Sequence, residues 1–346
     1  MLGPSNLIVP SSWPATANAC TDAAHQATRA LALKLELITP DQVQRFDANR
    51  FALLSGFAYP NATLERFKVC NDWLVWLFFF DDQADEQAEV GQEPLKLRGY
   101  MEVCLDVLRT GTLRANAAGF EVFTLDVRHR LVQFATEAWL RRFLEDVEDY
   151  LFRGTLTAAD NWTYGTTPDV ESYLLQRQYD SAVYTCQDLI EITAEGLELP
   201  TEILSDARFQ TLRRLSTQVV AFTNDIFSYE KEVLKQRNPN NLMDVLMLHR
   251  SLSLTEATSQ AVSLINNAVE AFIAHEQDLL PEIRGDERLH TYVHGMKAWM
   301  RANLLWSLQT ERYRSPTSPF SEIRSEDVSA HLRPTERGWS SIYNAA

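Results

Sequence analysis

From Glu65 to Asp82 the chain reads ERFKVCNDWLVWLFFFDD. Its apolar residues Phe67, Cys70, Trp73, Leu74 and Leu77 are three and four apart, which places them on one face of an α-helix. The run closes on Phe78, Phe79 and Phe80, apolar all round, as expected of a helix sunk in a protein interior. The same period returns over 128–152, 171–197, 207–234, 254–280 and 288–313. Polar or Gly- and Pro-containing breaks separate the periodic stretches at Asp160–Pro168, Gly196–Pro200, Asn238–Asn241 and Pro281–Asp286. No strand-like alternation persists and no internal repeat is visible. A chain that repeats a helical period along most of its length buries those faces against one another. The expected fold class is all-α, about ten helices in one domain.

Composition agrees. Twelve glycines in 346 residues, about 3.5 %, is half the usual ~7 % and too few for glycine-rich phosphate loops or a turn-rich sheet protein. The formal balance of 32 Lys+Arg against 47 Asp+Glu gives 32 − 47 = −15, a field that repels phosphate backbones and argues against nucleic acid as a partner. Cys20, Cys70, Cys104 and Cys186 lie far apart with no CxxC pair, so structural zinc is not expected and a reducing compartment is. The first twenty residues lack the basic start and apolar core of a signal peptide, and no apolar run approaches the ~20 residues of a membrane span. A soluble, cytoplasmic protein is the expectation. Residues 1–20, rich in Pro, Ser and Ala, read as an irregular lead-in. The polar, Pro-containing stretch 314–346 reads as a mobile tail or late-ordering flap, and 21–313 as the helical domain between them.

Two constellations carry chemistry. The first follows the phenylalanine run: Asp81-Asp82-Gln83-Ala84-Asp85-Glu86. If the helix continues, Asp81 pairs with Asp85 and Asp82 with Glu86 at i,i+4. Four carboxylates beside an apolar interior repel one another unless a cation resides there, and hard Mg²⁺ suits oxygen ligands shared with substrate phosphates. An acidic helix end facing solvent is the plainer alternative for such a cluster on its own. The second constellation is Asn224, Ser228 and Glu232 in QVVAFTNDIFSYEKE, where gaps of four place an amide, a hydroxyl and a carboxylate on one stripe. Lys231 adds a cation, while Val219, Val220, Phe222 and Ile226 keep the rest of that helix apolar. Polar residues at this spacing most often face solvent; two such clusters in one chain weaken that reading.

Asp81-Asp82-Gln83-Ala84-Asp85 resembles the aspartate-rich DDxxD motif of class I terpene synthases. Asn224 to Glu232 matches their ND(L/I)xSxxxE motif with each metal-binding residue type in place. The separation, 224 − 81 = 143 residues, is similar to that of the microbial single-domain members. Trp306 and Thr310-Glu311-Arg312-Tyr313 resemble the family's C-terminal Arg-Tyr pair, and Arg177, 224 − 177 = 47 residues before Asn224, stands where the family carries a diphosphate-sensing arginine. Many bacterial members follow that arginine, three and four positions on, with Asp and Gly at a helix break; here Asp180 and Ser181 hold those positions, so the glycine is replaced.

The resemblance, over roughly residues 50–315, implies a helical bundle around a central apolar cavity and an enzyme that ionises a prenyl diphosphate. It further implies three Mg²⁺ ions held by Asp81 with Asp85 or Glu86, and by Asn224, Ser228 and Glu232. Arg177, Lys231, Arg312 and Tyr313 are implied as donors to the diphosphate, with Asp82, Asp180 and Ser181 beside it. Trp73, Phe78, Phe222 and Trp306 are candidate lining residues for a carbocation, and ordinary core packing is the alternative for each. The expected activity is cyclisation of farnesyl diphosphate to a sesquiterpene. Geranylgeranyl diphosphate as substrate, a chain-elongating prenyltransferase and a non-catalytic helical binding protein are the alternatives. Helical surfaces in the family often pair, which allows a homodimer. The acidic run Asp146-Val147-Glu148-Asp149, the histidines His249, His290 and His294, and Cys186 read as structural or surface residues.

Overall fold

The periodic segment after Thr63 forms one helix of 23 residues, Leu64–Glu86 (α4), whose Trp73, Trp76, Phe67 and Phe80 are fully buried. In this computed structural model residues 3–86 and 93–324 are described, the side chains of 83–86 excepted; there is no β-strand among them. Before α4 come Thr21–Lys34 (α1), Val43–Asn49 (α2) and Phe51–Ala58 (α3). After it come Pro94–Thr110 (α5), Gly119–Leu131 (α6), Glu137–Glu148 (α7), Leu156–Tyr164 (α8), Val170–Asp180 (α9) and Val183–Asp188 (α10). The second half is built from Ala207–Tyr229 (α11), Leu242–Arg250 (α12), Leu254–Asp278 (α13) and Glu287–Gln309 (α14).

Two of the breaks read from sequence are partly helical, since α8 runs on to Tyr164 and a short helix spans Leu280–Gly285, while the break at 238–241 ends on a helix cap. Asp169, Asp206, Asn241, Ser253 and Asp286 each cap the following helix by accepting a backbone N–H with the side chain. Such caps satisfy donors that the first helical turn leaves unpaired, typically ~1 kcal/mol each. The long period read over 128–152 is interrupted at 132–136, where Thr136 caps α7 through the N–H of Trp139.

Helix α11 is the axis of the bundle. It packs against α13, α14, α9 and α10, and 16 of the 21 residues from Phe209 to Tyr229 are buried. Helix α14 in turn packs on α3, and α3 and α1 pack on α4. This sequence of contacts closes the helices into a ring that leaves an interior space between α4, α11 and α14.

Among the described residues two turns widen to π-geometry, and both border that space. Residues Asp149–Thr155 and Glu230–Lys235 wind as π-helix, a form concentrated at functional sites. In the first, Gly154 sits against the end of α9. A Cβ built on it would lie 2.5 Å from both the Cα and the N of Asp180, so only glycine permits the approach. The second begins two residues before Glu232, so the stripe Asn224–Ser228–Glu232 ends on a wider turn than uniform i,i+4 spacing assumes.

The ends of the domain are more packed than their composition suggests. Leu7, Val9 and Trp13 in the irregular lead-in are buried, and Arg301 donates to the carbonyl of Val9 (3.2 Å). The stretch after Tyr313, expected as a flap, is anchored as far as it is described. Phe320 and Ile323 are buried, Ser315 and Thr317 donate to Glu230 Oε1 at 2.5 and 2.6 Å, and Glu322 accepts from the Ser5 N–H at 3.0 Å. Polar composition misled there because two buried carboxylates supply the acceptors. Residues 325–346 lie outside the described residues. No helix is long and apolar enough to cross a membrane, among the described residues.

Glu230→Ala removes the shared acceptor of Ser315 and Thr317 and leaves their hydroxyls only each other (3.0 Å). Thermal unfolding is expected to show a loss of about 1–3 kcal/mol; an unchanged midpoint would mean the segment is held by Phe320, Ile323 and the Glu322–Ser5 contact without it.

Candidate active site

The interior space is a cavity of about 1210 Å³, counting its opening to solvent. Its wall has two chemical halves. Leu54, Leu74, Phe78, Val220, Trp299 and Trp306 are apolar, whereas Asp81, Arg177, Asn224, Lys231, Glu232 and Arg312 form a charged rim with Tyr313. Helical geometry explains the division. Leu74, Leu77, Phe78 and Asp81 form one stripe of α4, and Val220, Ala221 and Asn224 one stripe of α11, so each helix contributes apolar residues and then a polar one at its C-terminal end.

A buried hub orders the rim. Asp225, fully buried, accepts from Arg177 Nε (2.8 Å), the Tyr173 hydroxyl (2.6 Å) and the Leu242 N–H (3.1 Å). Arg177 spans from there to Asn224 Oδ1 (2.9 Å) and Asp180 (3.3 Å), and Asn224 Nδ2 donates to the Tyr313 hydroxyl (2.7 Å). Asn241 Nδ2 donates both to the Asp225 carbonyl (2.9 Å) and to Glu232 Oε2 (3.0 Å). Across the cavity Arg312 forks onto Asp82 (2.6 and 3.1 Å), reaches Asp81 (3.2 Å), and lies over the Phe78 ring at 5.0 Å; Lys231 also meets Asp82 (3.4 Å). The Arg312–Tyr313 turn is fixed from outside. Trp306 Nε1 and Thr310 Oγ1 both donate to the Asn49 carbonyl, and the Glu311 N–H to that of Ala48.

Charge is out of balance here. Asp81, Asp82, Asp180, Asp225 and Glu232 face Arg177, Lys231 and Arg312, with Arg45 also acting on Asp82, so 4 − 5 = −1 in formal charge. Burial raises the Asp81 carboxyl above its ordinary range despite Lys231 and Arg312. Burial likewise carries Asp180 to about 6 against the pull of Arg177. Asp82 goes the other way: burial opposes ionisation, but the Arg312 fork and Lys231 outweigh it and hold the group low. Asp81 and Asp180 are therefore where added positive charge is most welcome.

The donor set fits a hard divalent cation. Ser228 Oγ is completely buried, lies at the angular position of the cavity stripe of α11, and has no hydrogen-bond partner among the described residues. An orphaned buried hydroxyl between an amide oxygen and a carboxylate costs free energy unless something coordinates it. Oxygen-only donors of this kind suit Mg²⁺.

Of the other residues predicted from sequence, Asp180, Ser181, Phe78 and Trp306 line the cavity. Helix α9 ends at Asp180, and the break expected there is present without glycine at 181. Ser181 is right-handed, and the positive φ (56°) falls on Ala182, which also lines the cavity. Two lining expectations are corrected. Trp73 falls just past the edge of the α4 stripe, stacks on Trp76 and donates Nε1 to Thr185 Oγ1 (2.9 Å). Phe222, about 160° around α11 from Asn224 on ideal helical geometry, is core. The side chains of Asp85 and Glu86 lie outside the described residues. Cys186, read as a buried structural thiol, is buried and also faces the cavity. Asp225, Tyr173 and Asn241 had no assigned role in the sequence reading. The trace of the first is its place as the aspartate of the matched motif, directly after Asn224, where no role was given to it.

Known proteins carry the same pattern. Residues 72–271 match the family model described as terpene synthase family 2, C-terminal metal binding. The chain is 33% identical to (+)-T-muurolol synthase ((2E,6E)-farnesyl diphosphate cyclizing) of Roseiflexus castenholzii, over 92% of this chain and 96% of that protein. It is 29% identical to germacrene A synthase of Nostoc punctiforme, over 88% and 93%. A solved cucumene synthase variant superposes with a TM-score of 0.75 at 25% identity, covering 88% of this chain and 99% of that one.

Asp225→Asn would strip Arg177 of its buried counter-ion and turn an acceptor toward the Leu242 N–H into a donor. Denaturant unfolding should show a loss of about 3–5 kcal/mol, the range for breaking one side of a buried pair; a loss below 1 kcal/mol would mean that Asp225 is not the hub.

Proposed function

The chain belongs to the terpene synthase family, and on that premise we propose that it ionises farnesyl diphosphate with Mg²⁺ and cyclises the resulting cation to a sesquiterpene. The observation that carries this reading is one cavity with a charged, oxygen-rich rim and an apolar, aromatic interior. The farnesyl chain length is supported by the muurolol synthase relative, whose name states that substrate.

In this reading the C1–O bond of the substrate breaks heterolytically, its electron pair leaves on the diphosphate, and an allylic cation remains. Asp81 with Asp85 or Glu86, and Asn224, Ser228 and Glu232, would hold Mg²⁺, three ions in this reading, which would supply Lewis-acid charge to the leaving group. Arg177, Lys231, Arg312 and Tyr313 donate hydrogen bonds to the diphosphate oxygens as charge builds there, and the two arginines do so without risk of deprotonation. Arg177 and Arg312 are held in the free protein by Asp225, Asp180, Asp82 and Asp81, so their geometry is set before substrate arrives. The excess of carboxylates at the rim makes a bare diphosphate unwelcome and couples substrate entry to cations. Deeper in the cavity, Phe78, Trp299 and Trp306 face the hydrocarbon chain; each aromatic face stabilises a nearby cation by roughly 0.5–2 kcal/mol without bonding to it.

The test is incubation with geranyl, farnesyl and geranylgeranyl diphosphates, each with Mg²⁺, followed by mass spectrometry of extracted products. Cyclic fifteen-carbon products from farnesyl diphosphate are expected. Longer linear diphosphates would indicate a prenyltransferase, and twenty-carbon cyclic products a diterpene synthase. Asn224→Ala combined with Glu232→Ala should lower turnover by at least about 10²-fold; unchanged turnover would remove these residues from the metal site.

A further inference from the structure

Between two tryptophans of the cavity wall stands an amide. Asn303 lies on α14 between Trp299 and Trp306, at i+4 and i−3, and all three line the cavity. It is 4% exposed. Its amide orientation follows from chemistry, because Nδ2 donates to the Val220 carbonyl (3.0 Å) and a carbonyl can only accept. Oδ1 therefore occupies the other side of the amide and accepts no hydrogen bond from any described residue. The Val220 carbonyl is the one that helical pairing directs at the Asn224 N–H, so the amide stands just inside the rim. Its neighbours along α14 are Trp299 and Trp306, which places it where the cavity turns from charged to apolar.

An amide oxygen that opens on a cavity and has no protein partner is satisfied by water when the space admits one, and this cavity does. We propose that Asn303 Oδ1 holds a water molecule inside the cavity and that this water captures a carbocation, so that a cyclic alcohol is among the products. The inference rests on the proposed ionisation of farnesyl diphosphate. In the added step a lone pair of the water oxygen forms a C–O bond to the cationic carbon. The resulting oxonium then gives one proton to the diphosphate already released, leaving the hydroxyl group on carbon. Nothing is oxidised or reduced. Asn303 accepts a hydrogen bond from the water and fixes which face of the cation it meets. It is a specificity-determining residue, and ionisation proceeds without it.

The experiment is turnover of farnesyl diphosphate with Mg²⁺ in oxygen-18 water, with products and total substrate consumption both quantified. The wild-type protein is expected to release an alcohol carrying the heavy isotope. Asn303→Leu, close in size and apolar, should lower the alcohol-to-hydrocarbon ratio by at least about five-fold while consumption stays within about three-fold, because a site built to hold a polar group discriminates strongly when that group is lost. Asn303→Val gives the same readout should leucine disturb folding, which thermal unfolding reports. Hydrocarbons alone from the wild type, or an undiminished ratio in the variants, would overturn the inference and leave the proposed cyclase intact. Absence of any turnover by the wild type would overturn the proposed function, and the inference with it.

Discussion

The buried pair between Arg177 and Asp225 ties the parts of this protein together. Asp225 lies on the central helix, takes a hydrogen bond from Tyr173 on α9 and another from the first N–H of α12, and holds the guanidinium that reaches Asn224 and Asp180. Three helices thus meet at one carboxylate. Inside a protein such a charge is tolerable only when every oxygen is engaged, and here both are. The pair fixes the end of α9 relative to α11, and with it the positions of Asp180, Ser181 and Asn224 on the cavity rim.

From that fixed point the rest of the site follows by geometry and charge. The stripe of α11 that faces inward passes from Val220 and Ala221 to Asn224, while α4 passes from Leu74 to Asp81. The two helices carry the cavity from apolar to anionic along parallel paths. Among the charged groups named at the rim, carboxylates outnumber cations, and Gly154 lets the π-helical turn close against Asp180. In the proposed reading added cations would relieve that excess and give the orphaned Ser228 hydroxyl a partner.

Much of this was legible in the sequence, and the parts that were not fail for identifiable reasons. Asn224, Ser228 and Glu232 stood out because three oxygen-bearing side chains at fours are rare within an apolar run. The π-turn starting at Glu230 was invisible, since it depends on how α11 ends against its neighbours. Helical period showed that Trp73 and Phe222 are interior, but an interior face packed on a neighbour and one facing a cavity have the same period; only the structure separates them from Phe78 and Trp306. Replacement of glycine at 181 suggested a disturbed break, yet the left-handed residue is Ala182. Asn303 carried no warning at all, because one amide within a long helix is unremarkable until the residues around it are seen to line an apolar space.

The central claim is that the rim accepts a diphosphate only together with divalent cations. Calorimetric titration of inorganic diphosphate into the protein tests it without requiring turnover. The account predicts binding in the presence of Mg²⁺, no measurable binding after chelation, and a marked weakening in Arg177→Ala with Mg²⁺ present. Diphosphate binding of equal strength with and without Mg²⁺ would contradict it.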